Sequence, residues 1–418
     1  MGPLLGRWRL ARLARALLLG AWLLALAAPA LAAPTVVLIS MDGTRPADLD
    51  EVELPALTRM AREGARADRL VPVYPANTFP NHVTLVTGVS PERHGIVNNV
   101  FVDPERGRYR YDGDPTWLEA EPLWSILAAH GMTSAAYYWV GSEGAWRSGR
   151  GPADWRPFST RTRESEKVDQ ILKWLDRPEA ERPSLVTVWF HGADGAAHRH
   201  GPGAPEVAET LRVQDAQLGR LFGALDAQGR WGETTVIVVS DHGMTRVEHT
   251  VDLAGALDEA DIAAQVHGGG GFATVTLDDA DGDLEHAVAV ARGLGLEAWA
   301  RGEGPPGLES RNPRFGDLVV MAPLGTAISA EGLLGRLRAA LMGGGHGYRP
   351  DEPAMGGIFL ALGRGVGAGF DPGEVRALDV APTVLTLLGL PVPDSMEGRP
   401  IPLDASASPT SPSEGGPN

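Results

Sequence analysis

Residues 35–40 read TVVLIS and lead, after one methionine, into Asp42. Two further apolar runs have the same form, LVTVWF at 185–190 and TVIVVS at 235–240, and the second ends directly before Asp241. Continuous β-branched runs of this length are typical of strands buried on both faces, as in a parallel sheet covered by helices. Helix-like patterns lie between the runs. We therefore predict an α/β fold with a mainly parallel central sheet flanked by helices on both faces.

Side chains that can bind metal ions follow the carboxyl ends of these strands, where ligands gather in such sheets. Asp241 and His242, an adjacent carboxylate and imidazole, follow the run at residues 235–240. Asp194 and His198 follow the run at residues 185–190, and their four-residue spacing places both on one side of a helical turn. Each residue alone also fits a turn or a helix cap. His267, in a glycine-rich segment, is an alternative to His346, which lies in another glycine-rich loop. The six candidate ligands are Asp42, Asp194, His198, Asp241, His242 and His346.

A candidate nucleophile precedes a helical pattern at residues 81–88. Thr78 lies in the segment PANTFPNH at residues 75–82. A hydroxyl at a helix N-terminus usually caps the backbone. It can also act as a nucleophile where a zinc ion lowers its pKa and the helix dipole favours an arriving phosphate. The local sequence leaves both roles open.

The composition limits the kinds of ligand and partner. The 418 residues include 37 Lys and Arg against 53 Asp and Glu, which gives a formal net charge of -16. Such an acidic protein is a poor binder of the nucleic-acid backbone, so we expect no stable nucleic-acid binding. The chain has no cysteine, so any metal must be bound by His, Asp or Glu.

The N-terminal segment has the order of a secretory signal peptide. Four arginines precede an apolar run at residues 16–28, and the small-x-small sequence Ala-Leu-Ala follows at residues 30–32. The run is shorter than the roughly 20 residues that span a bilayer. We predict a signal peptide at residues 1–32, export to the periplasm or the cell exterior, and no membrane anchor after signal removal.

The remainder of the chain is predicted to form one catalytic domain at residues 33–403. Between about residues 251 and 341 a Gly-rich segment and alternating apolar positions replace the earlier pattern, which predicts an inserted smaller subdomain. Residues 404–418 are rich in Ser, Pro and Gly and contain no apolar residue beyond alanine. They are predicted to be a disordered tail.

Several segments are informative because of their order and spacing. They read VVLISMDGTRPADL from residue 36, YPANTFPNHVTLVTGVSPERHGIVNN from 74, DGAAHRHGP from 194, SDHGM from 240 and GGGHGYRP from 343. Together they resemble the nucleotide pyrophosphatase/phosphodiesterase family of the alkaline phosphatase superfamily. The segment LDVAPTVLTLLGLPVPDSMEGRP from 378 looks like the closing helix of that superfamily. SDHGM alone recurs across the superfamily, but the joint pattern is specific and extends over most of residues 34–402.

The resemblance implies a site with two Zn²⁺ ions and divides the ligands between them. One ion is bound by Asp194, His198 and His346. The other ion, which also contacts the Thr78 hydroxyl, is bound by Asp42, Asp241 and His242.

The resemblance also implies catalytic roles. Thr78 attacks phosphorus and forms a phospho-threonine intermediate, which water then hydrolyses. Asn99 donates a hydrogen bond to a nonbridging phosphate oxygen, beside a backbone N–H next to Thr78, although an asparagine of a plain turn is the alternative. Phe79 and Trp189 are candidates for a slot that stacks on a nucleotide base, with core packing as the alternative.

The sequence departs from the family pattern at two places. Ala197 stands where the family usually has glycine, and residues 347–350 read Gly-Tyr-Arg-Pro where relatives often have an acidic residue and asparagine. The second departure is expected to alter the rim of the site. Of the other histidines, His191 and His200 flank the Asp194 segment and are candidates for hydrogen bonds to the ligands.

The predicted function is zinc-dependent hydrolysis of phosphodiester or pyrophosphate bonds in small substrates such as nucleotides. A phosphomonoesterase, a phosphonate hydrolase and a lipid-headgroup phosphodiesterase are the alternatives. No Lys or Arg can be placed at the site from the sequence, which favours a diester over a dianionic monoester. A binding protein without activity is disfavoured because every expected ligand position is filled.

Overall fold

A computed structural model describes residues 33–308, 310–329, 335, 337, 339 and 341–407. The predicted signal peptide at residues 1–32 lies outside the described residues, as do residues 408–418 of the predicted tail. The first residues of that tail include a single 3₁₀ turn at Ala405–Ala407.

The strands are numbered in chain order. They are β1 (Thr35–Met41), β2 (Ala65–Arg66), β3 (Arg69–Val71), β4 (Val100–Asp103), β5 (Gly107–Arg110), β6 (Ser134–Tyr137), β7 (Asp154–Arg156), β8 (Leu185–Phe190), β9 (Thr234–Val239), β10 (Thr245–Arg246), β11 (His249–Val251), β12 (Ala264–Gly269), β13 (Phe272–Leu277), β14 (Glu297–Ala300), β15 (Leu318–Met321), β16 (Thr326–Ile328), β17 (Gly344–Gly345), β18 (Phe359–Gly363) and β19 (Glu374–Arg376).

The α-helices are numbered in the same way. They are α1 (Pro46–Glu51), α2 (Pro55–Glu63), α3 (Thr78–Thr87), α4 (Pro91–His94), α5 (Leu123–Ala129), α6 (Glu164–Leu175), α7 (Gly192–His200), α8 (Pro205–Gln228), α9 (Leu253–Glu259), α10 (Ala280–Gly293) and α11 (Val380–Leu387). Further 3₁₀ turns lie at Pro115–Trp117, Glu179–Glu181, Arg230–Gly232, Pro313–Phe315, Pro353–Met355 and Ala377–Asp379.

The central sheet has seven strands in the order β2-β18-β9-β1-β8-β6-β7. The five strands from β9 to β7 are parallel, whereas β18 at one side pairs antiparallel with both of its neighbours, β9 and the edge strand β2. The three apolar runs at residues 35–40, 185–190 and 235–240 fall on β1, β8 and β9, and β1 lies between the other two. The predicted α/β fold with a mainly parallel sheet is confirmed.

Helices cover both faces of this sheet. Successive side chains of a strand point to opposite faces, and in β1 both sets are fully buried. Val37 and Ile39 pack with apolar residues of α2, α6 and α8. Val36 and Leu38 pack with those of α3, α5 and α11. The burial of both sets explains why the strand reads as a continuous apolar run.

A second, antiparallel sheet lies within residues 251–341. Its strands have the order β12-β13-β15-β14, and α9 and α10 supply apolar side chains to its own buried cluster. The alternating apolar pattern that predicts a separate subdomain here falls on this sheet. The domain boundaries themselves stay a prediction.

Across the described part of the chain, no helix has the length and hydropathy that crossing a bilayer requires.

Candidate active site at the carboxyl edge of the sheet

The candidate ligands meet at the carboxyl ends of β1, β8 and β9. Asp42 follows β1 directly, and Asp241 and His242 follow one residue after β9. Asp194 and His198 lie one turn apart on α7, which begins just after β8. Because parallel strands end at the same edge of a sheet, three distant segments of sequence deliver their side chains to one place.

Three of these residues form a first possible metal-binding group. Ligand atoms of Asp194, His198 and His346 all lie within 4.8 Å of one another. The Oδ1 atom of Asp194 is 3.2 Å from Nε2 of His198 and 3.8 Å from Nε2 of His346. One carboxylate oxygen and two imidazole nitrogens converging on one point is a set that zinc accepts.

A second possible group consists of Asp42, Asp194 and His242, again with ligand atoms within 4.8 Å of one another. The Nε2 atom of His242 lies 3.4 Å from Oδ1 of Asp42 and 3.2 Å from Oδ2 of Asp241. The structure thus brings all six sequence-predicted ligands together, with Asp194 between the two groups.

The three histidines are oriented as metal ligands are. Their Nδ1 atoms face backbone carbonyls, His198 that of Gly344 at 2.9 Å, His242 that of Gly243 at 2.8 Å and His346 that of Ala76 at 3.1 Å. A carbonyl can only accept, so each Nδ1 carries the proton. The Nε2 atom of each ring therefore points into the cluster, where it can bind a metal ion once it carries no proton.

The carboxylates form a dense negative charge away from water. Burial, together with the charges of Asp241 and Asp194, raises the pKa of Asp42 well above its usual value. Buried oxygens Oδ1 of Asp42, Oδ1 of Asp194 and Oδ2 of Asp241 have no hydrogen-bond partner within the described residues. Unpaired buried carboxylate oxygens are costly unless a cation neutralises them. The donor set therefore fits divalent metal ions.

The imidazoles respond to the same charges. Burial lowers the pKa of His198, but the Asp194 carboxylate outweighs this and raises the pKa to about 9. Burial and the neighbouring His242 and His198 rings lower the pKa of His346 to about 3. A metal ion at the first group would therefore displace a proton from His198, whereas His346 is already unprotonated at neutral pH.

Thr78 is the first residue of α3, and its hydroxyl faces the second group. Its Oγ1 atom lies 3.1 Å from Nε2 of His242. The sequence analysis had left His82 without a role. One turn later on α3, its Nδ1 atom lies 2.9 Å from the Thr78 carbonyl and 3.3 Å from Oδ2 of Asp241. The four-residue spacing between Thr78 and His82 was the available signal, since it places both on one side of a helix.

Asn99 contacts the backbone of the residue that follows the nucleophile candidate. The Phe79 N–H donates to Oδ1 of Asn99 at 2.8 Å. This N–H therefore orients the asparagine amide instead of being free for a phosphate. Because this bond fixes the Oδ1 end of the amide, the position of the Nδ2 end is fixed as well. The Nδ2 group is the donor of the Asn99 side chain, and Asn99 lines the cavity described next.

A cavity of about 390 Å³ opens next to Thr78, and its walls are rich in aromatic residues. Phe79 packs edge-on against Tyr111, with ring centroids 5.2 Å apart. Phe158 stacks on Trp189 at 5.1 Å. Trp189 also donates from its indole nitrogen to Oδ2 of Asp42 at 2.8 Å. Trp189 thus supports a candidate ligand, while Tyr111 and Phe158, which the sequence analysis missed, complete the aromatic wall.

A buried lysine lies behind this wall. Lys167 is fully buried on α6 and donates to the Trp189 carbonyl at 2.8 Å. Its ammonium group also lies 3.1 Å from Nδ1 of His191 and 2.7 Å from the Glu164 carboxylate. His191, which lines the cavity, is therefore held by Lys167 and has no contact with a candidate ligand that would match its predicted role.

Other residues singled out from the sequence lie elsewhere. His267 is in β12 with Nε2 3.3 Å from the Thr276 hydroxyl and belongs to neither group. His200 is 3.8 Å from Glu206 at the end of α7. The departure after His346 places Tyr348 in the core of the second sheet, and Arg349 pairs with Glu297 and Asp351.

A comparison with protein families gives one match to the chain. The model described as type I phosphodiesterase / nucleotide pyrophosphatase matches residues 36–349. All six candidate ligands, Thr78 and Asn99 lie within the matched range.

Curated proteins show the same similarity over part of their length. Ectonucleotide pyrophosphatase/phosphodiesterase family member 3 of Rattus norvegicus is 34% identical over 231 residues, which cover 52% of this chain and 26% of the rat protein. A pyrophosphatase/phosphodiesterase of Schizosaccharomyces pombe is 36% identical over 217 residues, or 50% of this chain and 44% of that protein. The aligned part thus spans less than half the length of these relatives.

Solved structures extend the similarity to most of the fold. Murine ectonucleotide pyrophosphatase / phosphodiesterase 5, as an inactive threonine-to-alanine variant in complex with AMP, superposes with a TM-score of 0.79 at 25% identity. The match covers 86% of this chain and 96% of the murine chain. The human protein 5 gives a TM-score of 0.78 over the same shares.

Proposed function

The chain belongs to the type I phosphodiesterase / nucleotide pyrophosphatase family, and on this premise we propose that it cleaves phosphodiester or pyrophosphate bonds of nucleotides or nucleotide-like substrates. The observation that carries the proposal is the position of the Thr78 hydroxyl. It stands at the N-terminus of a buried helix, 3.1 Å from Nε2 of His242 in the second ligand group.

The proposed cofactors are two Zn²⁺ ions. Asp194, His198 and His346 would bind one ion, and Asp42, Asp241 and His242 would bind the other. The unpaired carboxylate oxygens and the inward-facing Nε2 atoms support this assignment. When bound, two zinc ions would neutralise phosphate charge and lower the pKa values of the attacking hydroxyl and of the hydrolytic water.

Thr78 is the proposed nucleophile. Its Oγ1 atom forms a bond to phosphorus while the bond from phosphorus to the leaving oxygen breaks, and the hydroxyl proton is taken up by the leaving group. Water then attacks the phospho-threonine, releases a phosphate monoester and restores the hydroxyl. The N-terminus of α3 and the Asn99 amide would stabilise the negative charge on the nonbridging oxygens.

The aromatic cavity is the proposed site for a planar group such as a nucleotide base. Phe79, Tyr111, Phe158 and Trp189 line it near Thr78, and the Phe158 ring stacks on Trp189. Stacking on such rings tolerates any base, because every base has a π-face. That the related murine protein was solved with AMP supports a nucleotide substrate.

Export of the protein is part of the proposal. It is supported by the order of basic, apolar and small residues at positions 7–32. Similar proteins include ectonucleotide enzymes and the venom phosphodiesterase of Macrovipera lebetinus.

The proposed function is tested by turnover of three esters: the nitrophenyl ester of thymidine monophosphate, nitrophenyl phosphocholine and nitrophenyl phosphate. We expect the nucleotide ester to be preferred by orders of magnitude in kcat/KM. A preference for phosphocholine would instead identify a lipid-headgroup phosphodiesterase, and a preference for nitrophenyl phosphate a monoesterase. Either result would contradict the proposal.

A further inference from the structure

A second cavity, of about 510 Å³, adjoins the aromatic one. The two share Asn99, Tyr111, His198 and His346 among their lining residues. Asp42 and Thr78 line only the aromatic cavity. The second cavity therefore meets the proposed metal centre at His198 and His346, and Thr78 is not among its described lining residues.

Two arginines give the second cavity a positive wall. Arg108 and Arg110 alternate on β5 with Tyr109, whose side chain is buried in the aromatic core, so both arginines face the opposite side of the hairpin. Both are exposed, and in the described part of the chain neither forms an ion pair or a hydrogen bond. No Asp or Glu is among the described residues that line this cavity. Unpaired guanidinium groups at one wall are well suited to bind phosphate.

A buried amide adds a third donor. Asn98 is 1% exposed, and its Oδ1 atom accepts hydrogen bonds from Nδ2 of Asn77 at 2.9 Å and from the Asn99 N–H at 2.8 Å. These two donors fix the amide orientation. Asn98 is one of the residues that line the cavity, and its buried Nδ2 group has no hydrogen-bond partner within the described residues. A buried donor left without an acceptor is costly and indicates a ligand that supplies one.

Gly268 of the second sheet lies close against this amide. Gly268 has a φ of 99°, and a Cβ atom there would lie 2.5 Å from Nδ2 of Asn98. A side chain at this position would therefore push the amide out of place or fill the cavity. The β12 end of the second sheet thus forms one wall of a cavity that Asn98, Arg108 and Arg110 also line.

We propose that this cavity, the arginine cavity, binds a phosphate-bearing leaving group, such as the diphosphate released from a nucleoside triphosphate. In an in-line displacement the leaving oxygen departs on the side opposite the nucleophile, and the arginine cavity is the one without Thr78. As the phosphorus bond to Thr78 forms, the bond to the leaving oxygen breaks and the diphosphate carries away its electron pair. This inference rests on the proposed function.

The test uses two substrates that share thymidine monophosphate and differ only in the leaving group: thymidine triphosphate and the nitrophenyl ester of thymidine monophosphate. We expect R108Q and R110Q each to lower kcat/KM for the triphosphate by about tenfold, since each loses a charge-assisted hydrogen bond. Both variants should keep kcat/KM for the nitrophenyl ester within about twofold. Asn98→Asp, which retains both accepted hydrogen bonds but replaces the free donor with a carboxylate, should give a larger selective loss.

Arg106→Gln is the matched control on the same hairpin, because Arg106 is already engaged by the Thr116 carbonyl and the Trp117 ring. It should leave the ratio of the two substrates unchanged. Equal losses for both substrates in R108Q and R110Q would overturn the inference while leaving the proposed function intact. If the wild type cleaved neither of the two substrates, the proposed function would fail instead. In that case the binding of inorganic pyrophosphate to the wild type and to the R108Q/R110Q double variant, measured by calorimetry, would decide the inference alone. Weaker binding by the variant supports it, and equal binding overturns it.

Discussion

The two cavities that meet at His198 and His346 differ in nearly every chemical respect. The aromatic cavity is lined by Asp42, Glu143 and Asp194 but, among the described residues, by no Lys or Arg. The arginine cavity has two unpaired arginines and no described acidic residue. The aromatic cavity suits planar groups and cations, and the arginine cavity suits anions. On the proposals above, the two cavities would hold chemically different halves of a substrate on either side of one reacting phosphorus.

The supports of the two cavities differ as well. The aromatic cavity rests on the carboxyl edge of the central sheet, with Asp42 and Trp189 positioned by buried parallel strands. The arginine cavity lies between the β4–β5 hairpin and the glycine-rich end of β12. On this account, the residues that act on every substrate stand on the central sheet. The residues that select the leaving group stand on the β4–β5 hairpin and on the second sheet.

The largest expected effect comes from removing the centre that both cavities share. Thr78→Ala should lower kcat for the nitrophenyl nucleotide ester and for thymidine triphosphate alike, by a factor on the order of 10⁴ or more, because both reactions lose their nucleophile. Thr87→Ala, at the far end of the same helix, is the control and should retain activity. Selective loss on one substrate would show that Thr78 serves binding rather than attack.

A smaller and selective effect is expected from the aromatic wall. Phe79→Ala and Phe158→Ala should each lower kcat/KM for nucleotide esters by about 5- to 150-fold, which corresponds to the ~1–3 kcal/mol of a base stacked on an aromatic ring. Turnover of bis-nitrophenyl phosphate, which carries no base, serves as the reference substrate. Trp155→Ala, an exposed aromatic outside the cavity, is the control. If nucleotide turnover is unchanged in both Phe variants, the base does not lie in this cavity.

The smallest effect on activity is expected behind the aromatic wall. Lys167→Met leaves the Glu164 carboxylate buried without its partner and should lower the free energy of unfolding by about 3 kcal/mol. The double variant with Glu164→Gln removes both charges and should restore most of that stability. Urea unfolding of the two variants measures the difference. Equal stability of the single and double variants would show that the ion pair does not hold this wall.

Much of the cluster of candidate ligands could be predicted from the sequence, because strand ends and ligand types are local features. Asp42 and Asp241 each follow a continuous apolar run, and those runs proved to be neighbouring strands. The arginine cavity could not be predicted in the same way. Arg108 and Arg110 lie on a short hairpin of weak sequence pattern, and only the tertiary fold brings them to His346. The sequence analysis placed no Lys or Arg at the site for that reason.

Trp189 shows a second limit. Its place at the end of an apolar run indicates a position near the site but not which partner its indole nitrogen takes. In the structure the indole nitrogen of Trp189 donates to Asp42, and the ring face stacks on Phe158. Lys167 was missed because a lysine at a core-facing helix position carries no signal until its buried acceptors, such as the Trp189 carbonyl, are known.

The stereochemical course at phosphorus tests the central claim most directly. Hydrolysis of one diastereomer of the nitrophenyl ester of thymidine phosphorothioate in ¹⁸O-labelled water yields a product whose configuration can be assigned. Attack by Thr78 followed by attack of water consists of two in-line displacements, so the account predicts net retention of configuration. Net inversion would mean that water attacks phosphorus directly and would contradict the assignment of Thr78 as the nucleophile.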